Sequence, residues 1–231
     1  MSSIAQKRSS IGQAVAICGL FVAAACTPAA DSPQVEDPPL PIADTTLPPP
    51  STSPSTDTDM GVDRPETMEG TIGIEGMEEP MTYMLYTTRP GFGIPFSTYV
   101  PEDMVSQETS SGEGDAVRFV ANFGGQLSEN AFMNVYFFPE GTTEAQASER
   151  AAEVAGTTAP DPRGAEIYPW ALEVYDLAEA DFGRVGLGQH NGRYFYVHTS
   201  YPPVFGDGMG PRVARILDEW RWTDTGTGLR G

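Results

Sequence analysis

The chain holds two cysteines and two histidines, Cys18, Cys26, His190 and His198, the side chains that most often act as nucleophiles, bases or metal ligands. A histidine moves protons only beside a positioned partner, and a structural metal needs about four converging ligands. The pair Asn191-Gly192 favours a two-residue type I′ turn. The hairpin it predicts puts His190 opposite Arg193, Gly188 opposite Phe195 and Gly186 opposite Val197. Val185, Leu187, Gln189, Tyr194, Tyr196 and His198 then share the other face. The two histidines point to opposite faces and cannot share a metal. His190, beside the turn, is expected to be exposed, and His198 to be a satisfied polar residue among tyrosines. No serine sits in a G-x-S-x-G elbow. The acidic pairs at 78–79, 102–103 and 218–219 are adjacent in sequence, which reads as surface solvation.

Two glycine- or acid-rich runs invite chemistry and do not support it. "DTDMGVD" at 57–63 would need Gly and Glu at the sixth and twelfth places of a calcium loop, where Val62 and Met68 stand. "FGDGMGP" at 205–211 precedes a helix, a place where anions bind. Asp207 adds negative charge there and Pro211 removes a donor, so a tight connection with glycines at positive φ is the better reading. No cofactor and no metal is expected. The best candidate partner or ligand surface is aromatic: Tyr194, Tyr196, Tyr201 and Phe205, with Pro202-Pro203 stiffening the loop. Exposed aromatics on stiff loops favour contacts with a partner. Core packing between hairpin and helix is the competing account of the same residues.

Strand and helix patterns supply the frame. "MTYMLYTT" (81–88) reads as a central strand, and "IPFSTYVPEDM" as a strand stopped by Pro101. "DAVRFVANF" alternates, with Val117, Phe119, Ala121 and Phe123 on one face, and "AFMNVYFFP" follows with Met133, Val135 and Phe137 together. "GTTEAQASERAAEVAG" reads as a helix with a Thr143/Gln146 capping box and a Gly156 stop. Pro211 suits the first position of a last helix whose stripe is Val213, Ile216, Leu217 and Trp220. Arg212, Arg215, Asp218 and Glu219 take its wetter side. The expected class is α+β: a mainly antiparallel sheet covered by the mid-chain helix and the C-terminal helix.

The N-terminal part does not belong to that domain. Residues 11–25, "IGQAVAICGLFVAAA", follow Lys7 and Arg8 and carry no charge. They fall short of the ~20 apolar residues that span a bilayer, and small residues close them, as in a secretory signal. From Thr27 to about Thr67 the chain is rich in Pro, Thr, Ser and Asp, too poor in large apolar groups to fold. Such a tether reaches roughly 100 Å at most, at ~3.1 Å per residue. The expected divisions are therefore 1–25, a signal peptide; 26–67, a disordered acidic tether; and 68–231, the globular domain. The net charge is −19, and every cation after Lys7 is arginine. That balance repels nucleic acid, so no nucleic-acid partner is expected.

Ala24, Ala25 and Cys26, with Val22 upstream, resemble the lipobox of bacterial lipoproteins. The resemblance implies acylation of Cys26 and removal of the residues before it. Cys18 would be lost, leaving no thiol for a disulfide, a metal or catalysis. Two or more acyl chains hold a protein stably to one leaflet, so the lipid bilayer is the first expected partner. Thr27 in place of Asp implies sorting to the outer membrane or cell surface if the cell has two membranes. Ala23-Ala24-Ala25 also reads as an ordinary A-x-A cleavage site, which would leave a free thiol, and a retained helix is the third alternative.

The globular part looks similar to the PsbP-like fold, through "FSTYVPEDM", a strand ending in Val-Pro, and "ILDEWRW", a helix ending in an aromatic pair. The likeness covers about two thirds of the domain and implies an α+β sandwich. The family includes extracytoplasmic adaptors without catalytic residues, and no site residue is carried over. The expected function is a membrane-anchored, extracytoplasmic, non-catalytic binding or adaptor module for an unknown envelope protein or ligand. The alternatives are a small-ligand-binding lipoprotein with an aromatic pocket near Tyr194–Phe205 and, last, a carboxylate-dependent hydrolase.

Overall fold

Glycine turns set the strand pairing. A computed structural model describes residues 64–178 and 181–229. Strands β1 (Thr67–Ile74) and β2 (Met77–Thr87) are joined by Glu75 and Gly76, both at positive φ. Strands β3 (Phe96–Pro101), β4 (Met104–Ser111), β5 (Gly114–Phe123) and β6 (Gln126–Phe137) follow. Gly124 and Gly125 make the tight β5–β6 turn at φ 61 and 79°. Then come α1 (Glu144–Ala155), the one-turn α2 (Gly164–Ile167), β7 (Glu173–Asp176), β8 (Phe182–His190) and β9 (Arg193–Tyr201). Helix α3 (Gly206–Asp218) and the short β10 (Arg221–Trp222) end the described chain. All strand pairing among the described residues is antiparallel, in two sheets ordered β1-β2-β3-β10 and β4-β5-β6-β9-β8-β7. The class is α+β, with sheet dominating.

The main core lies between the sheets and α3. Phe96, Phe119, Met133, Phe137, Ile216 and Trp220 are fully buried within it. Trp220 stacks on Phe96 at 3.6 Å between centroids, inclined by only 10°. The buried Thr98 hydroxyl donates to the Ile216 carbonyl at 2.5 Å, fastening β3 to α3. On the other face of the six-stranded sheet, α1 packs through Ala147, Ala151 and Ala155 against Tyr175, Val185, Leu187 and Tyr196. Three alanines let the helix approach closely. Its capping box is complete: Thr143 accepts from the Gln146 N–H, and the Gln146 side chain accepts from the Thr143 N–H. Gly156 closes it in the left-handed conformation.

The Asn191-Gly192 hairpin has the register the turn predicts, His190 to Arg193 and Gly186 to Val197. Its glycines make room for rings. A Cβ on Gly188 would lie 2.6 Å from Phe195 Cζ, and one on Gly186 would lie 2.9 Å from Trp170 Cη2.

Four expectations need correction. Helix α3 starts at Gly206, so Pro211 stands inside it and Gly206, Gly208 and Gly210 are helical, not at positive φ. Gly208 is closely packed: a Cβ there would meet the Phe123 ring at 3.2 Å. Arg212 is not on a wet face. It is 4% exposed, held by Asp103 and lying over the Phe123 ring at 4.2 Å. His190 is not exposed but stacks on Trp222 at 4.1 Å. Residues 64–67, assigned to the tether, belong to the fold: Arg64 donates to the Glu219 carbonyl at 2.9 Å, and Pro65 accepts from the Tyr99 hydroxyl. Cys18, Cys26, the apolar run, "DTDMGVD" and the tether up to residue 63 lie outside the described residues.

Candidate binding cleft

The glycine stripe of β8 ends at its outer half, and the side chains beyond it frame a cleft. Phe182 and Arg184 on β8 face the same way as Thr199 and Tyr201 on β9, because the hairpin register pairs Phe182 with Tyr201 and Arg184 with Thr199. Asp176 of β7 stands beside Arg184. Opposite them α3 presents Gly210, Val213, Ala214 and Leu217, and Ile167 and Tyr168 close one end. Nothing lies within 4 Å of a Cβ built on Gly210, so the helix leaves open space there. The cavity measures about 580 Å³, within the ~300–1,000 Å³ usual for ligand sites.

Its polar groups are held in place. Arg184 Nε donates to Asp176 Oδ1 at 2.8 Å, and the Arg184 backbone N–H donates to the Thr199 hydroxyl at 3.0 Å. Asp181, at the mouth, accepts from the Ser200 hydroxyl at 3.5 Å. Gly183 sits at φ 147°, where a Cβ would fall 1.9 Å from the Thr199 carbonyl oxygen, so only glycine lets β8 run this close to β9. Three rings line the space. Tyr168 stacks on Trp170 at 5.2 Å, while Phe182 meets Tyr201 at 6.2 Å and is 53% exposed. Burial raises the Tyr201 hydroxyl above the ordinary tyrosine value, so it stays protonated as a donor.

The four aromatics of the sequence do not form one surface. Tyr201 lines this cleft. Phe205 packs beside the same core against Phe123 at 5.7 Å. Tyr194 and Tyr196 lie on the opposite face of the sheet beneath α1, with Tyr196 5% exposed and its hydroxyl pushed up to about 12 by burial. Sequence reasoning missed Phe182 and Arg184, although extending the Asn-Gly register back from His190 by eight and six residues reaches them. Tyr168, Asp176 and Asp181 carried no comparable signal, because they come from an irregular segment and a four-residue strand.

Neither histidine is placed for proton transfer to a nucleophile. His190 Nε2 bonds Asp224 at 2.9 and 3.0 Å, and Asn191 Nδ2 donates to the same carboxylate at 2.7 Å. Burial works against the Asp224 charge, but the bonds from His190 and Asn191 outweigh it and hold the carboxyl below its usual value. The arrangement clasps the hairpin turn to the segment after β10. His198 shares its groove with Ser200 and Asp181, yet Asp181 bonds the serine rather than the histidine. Among the described residues no three His, Cys, Asp or Glu side chains cluster as metal ligands.

His198 has a measurable consequence. Burial, then the nearby Arg118 charge, lowers its pKa from 6.5 to about 4. The folded state therefore stays neutral where the unfolded chain takes a proton. The stability is present in full above pH 6.5, falls as the pH drops, and is fully lost below pH 4, by up to ~3 kcal/mol. Urea unfolding at pH 7 and pH 5 should show a smaller pH difference in His198→Phe than in the parent. Equal differences would place the titration elsewhere.

No helix among the described residues is long and apolar enough to cross a membrane. No family model matches the chain, and no curated protein or solved structure matches it significantly.

Proposed function

We propose that this chain is a lipid-anchored, extracytoplasmic, non-catalytic binding module. Cys26 carries the anchor, residues up to about 63 space it from the membrane, and the α+β domain binds a ligand or envelope partner at the Tyr168–Phe182–Tyr201 cleft. The observation that carries the binding part is that cleft: three aromatic rings beside fixed polar groups, of a size that accepts a small ligand or a partner's side chain. The anchor rests on the sequence "AAAC" at 23–26 after an uncharged apolar run. The same reading takes the domain as a PsbP-like adaptor sandwich, supported by β3 ending at Pro101 and by the Trp220 and Trp222 pair after α3.

Cys26→Ala should move the protein from the membrane fraction to the soluble fraction of cells producing it. Retention of the whole population in the membrane would overturn the anchor. For the binding part, a photo-crosslinker at Val204, which is 85% exposed, should give one dominant adduct that a probe at Thr52 does not give. Identical adduct patterns at the two positions would remove the case for a partner at this end of the domain.

A further inference from the structure

We propose that the cleft takes an organic cation, an amine or guanidinium group, and the proposal rests on the binding-module reading above. Among the described residues, its lining contains two carboxylates, Asp176 and Asp181, against one guanidinium, Arg184. Arg184 is committed to Asp176 at 2.8 Å. Asp181 is exposed and, among the described residues, is met by one neutral hydroxyl at 3.5 Å. One carboxylate is therefore left over at the mouth. An anion would meet that surplus charge while the guanidinium was already engaged. An uncharged ligand would leave the surplus unused.

The rings point the same way. Tyr168, Phe182 and Tyr201 surround the space into which Asp181 opens, and aromatic faces attract cations, most strongly where water is excluded. Trp170 covers one side of Tyr168 by stacking. Phe182 keeps half its surface in solvent although it touches Tyr201, which is the state of a ring that gains cover when a ligand arrives.

The field of the whole molecule agrees with the local tally. The chain carries a net charge of −19. Eight arginines of the described residues already sit in ion pairs. A strong negative potential raises the local concentration of cations and slows the approach of anions.

The chemistry is shared by a free polyamine and by a basic side chain of a partner peptide, and a titration separates them. The detergent-solubilised full chain is titrated with spermidine, with the peptide acetyl-Gly-Arg-Gly-amide, with succinate and with cellobiose, followed by calorimetry and by the NMR signals of the cleft. Saturable one-to-one binding of a cation is expected. Asp181→Asn, an exposed change that keeps shape, should weaken it about tenfold, and Tyr201→Leu about fivefold. Arg184→Met should strengthen it, because Asp176 is released. A merely structural role for Arg184 predicts no gain. Tighter spermidine marks a free polyamine as the natural source, and tighter peptide marks a partner's basic segment. Cation binding unchanged by Asp181→Asn would mean diffuse attraction to an acidic surface and would overturn the proposal. Preference for succinate or cellobiose at the cleft also overturns it but leaves the binding-module reading standing. Binding of none of the four probes overturns it too, and the Val204 adduct then decides the broader reading on its own.

Discussion

Asp103→Asn lowers the free energy of unfolding by about 3–5 kcal/mol, the usual cost of leaving a buried charge without its partner. Arg212 is 4% exposed, and its Nε donates to both oxygens of Asp103 at 3.0 and 3.1 Å. Its Nη1 donates to the Gly208 carbonyl at 2.7 Å, and the Phe123 ring covers its face. The pair ties α3 to the turn between β3 and β4, which is also the junction of the two sheets. Neutralising Asp103 strands the guanidinium away from water. Removing both charges should be far milder, because a buried ion pair replaced by apolar groups is often close to neutral. Urea denaturation of Asp103→Asn and of Asp103→Asn/Arg212→Met checks this. A double variant no more stable than the single one would show that the charge is not what the site needs.

Trp220→Ala is expected to cost about 3–5 kcal/mol, and Trp220→Phe clearly less. The indole is fully buried between Phe96, on which it stacks, and Trp222 at 5.1 Å. Alanine leaves a void in the centre of the main core, which the two sheets and α3 cannot close without shifting together. Phenylalanine keeps the stack, and both variants take away a second cost. Trp220 Nε1 is buried with no hydrogen-bond partner among the described residues, and such an orphan donor costs about 1–3 kcal/mol. Thermal unfolding of both variants measures the difference. Equal losses would mean that the phenylalanine ring does not take up the stack on Phe96.

What could be read from the sequence was local. Asn191-Gly192 gives its hairpin register because only one turn type suits that pair. Thr143, Gln146 and Gly156 delimit α1 because each satisfies a particular backbone group. The stripe of Val213, Ile216, Leu217 and Trp220 is buried as its spacing requires. What could not be read was which surfaces meet. Periodicity shows that β3 and β5 have buried faces, not that they belong to different sheets. The start of α3 was missed because glycines usually end helices; here Gly206, Gly208 and Gly210 are inside one, where Phe182 and Phe123 come close to the first two. Arg212 was taken as wet because charge alone suggested solvent, and its partner lies 109 residues away. The cleft was half legible. Tyr201 was named, while the charged residues of the cleft sit on β7, on β8 and just before β8, whose place beside it follows only from the completed sheet.

The three tryptophans of the chain are joined through one run of ring contacts, stacked at Trp170–Phe195 and edge-on at the other two. Trp170 lies on Phe195 at 5.6 Å, Phe195 meets Trp222 at 5.2 Å, and Trp222 meets Trp220 at 5.1 Å. Excitation energy will pass among indoles this close, so their ultraviolet emission acts as a single reporter of the core. The first 63 residues hold no tryptophan and are silent in that signal. Trp170 is also linked to the cleft, through Tyr168 stacked on it. Emission therefore gives two readings from native side chains: a large red shift when the sheets part, and a smaller intensity change when the space beside Tyr168 is filled.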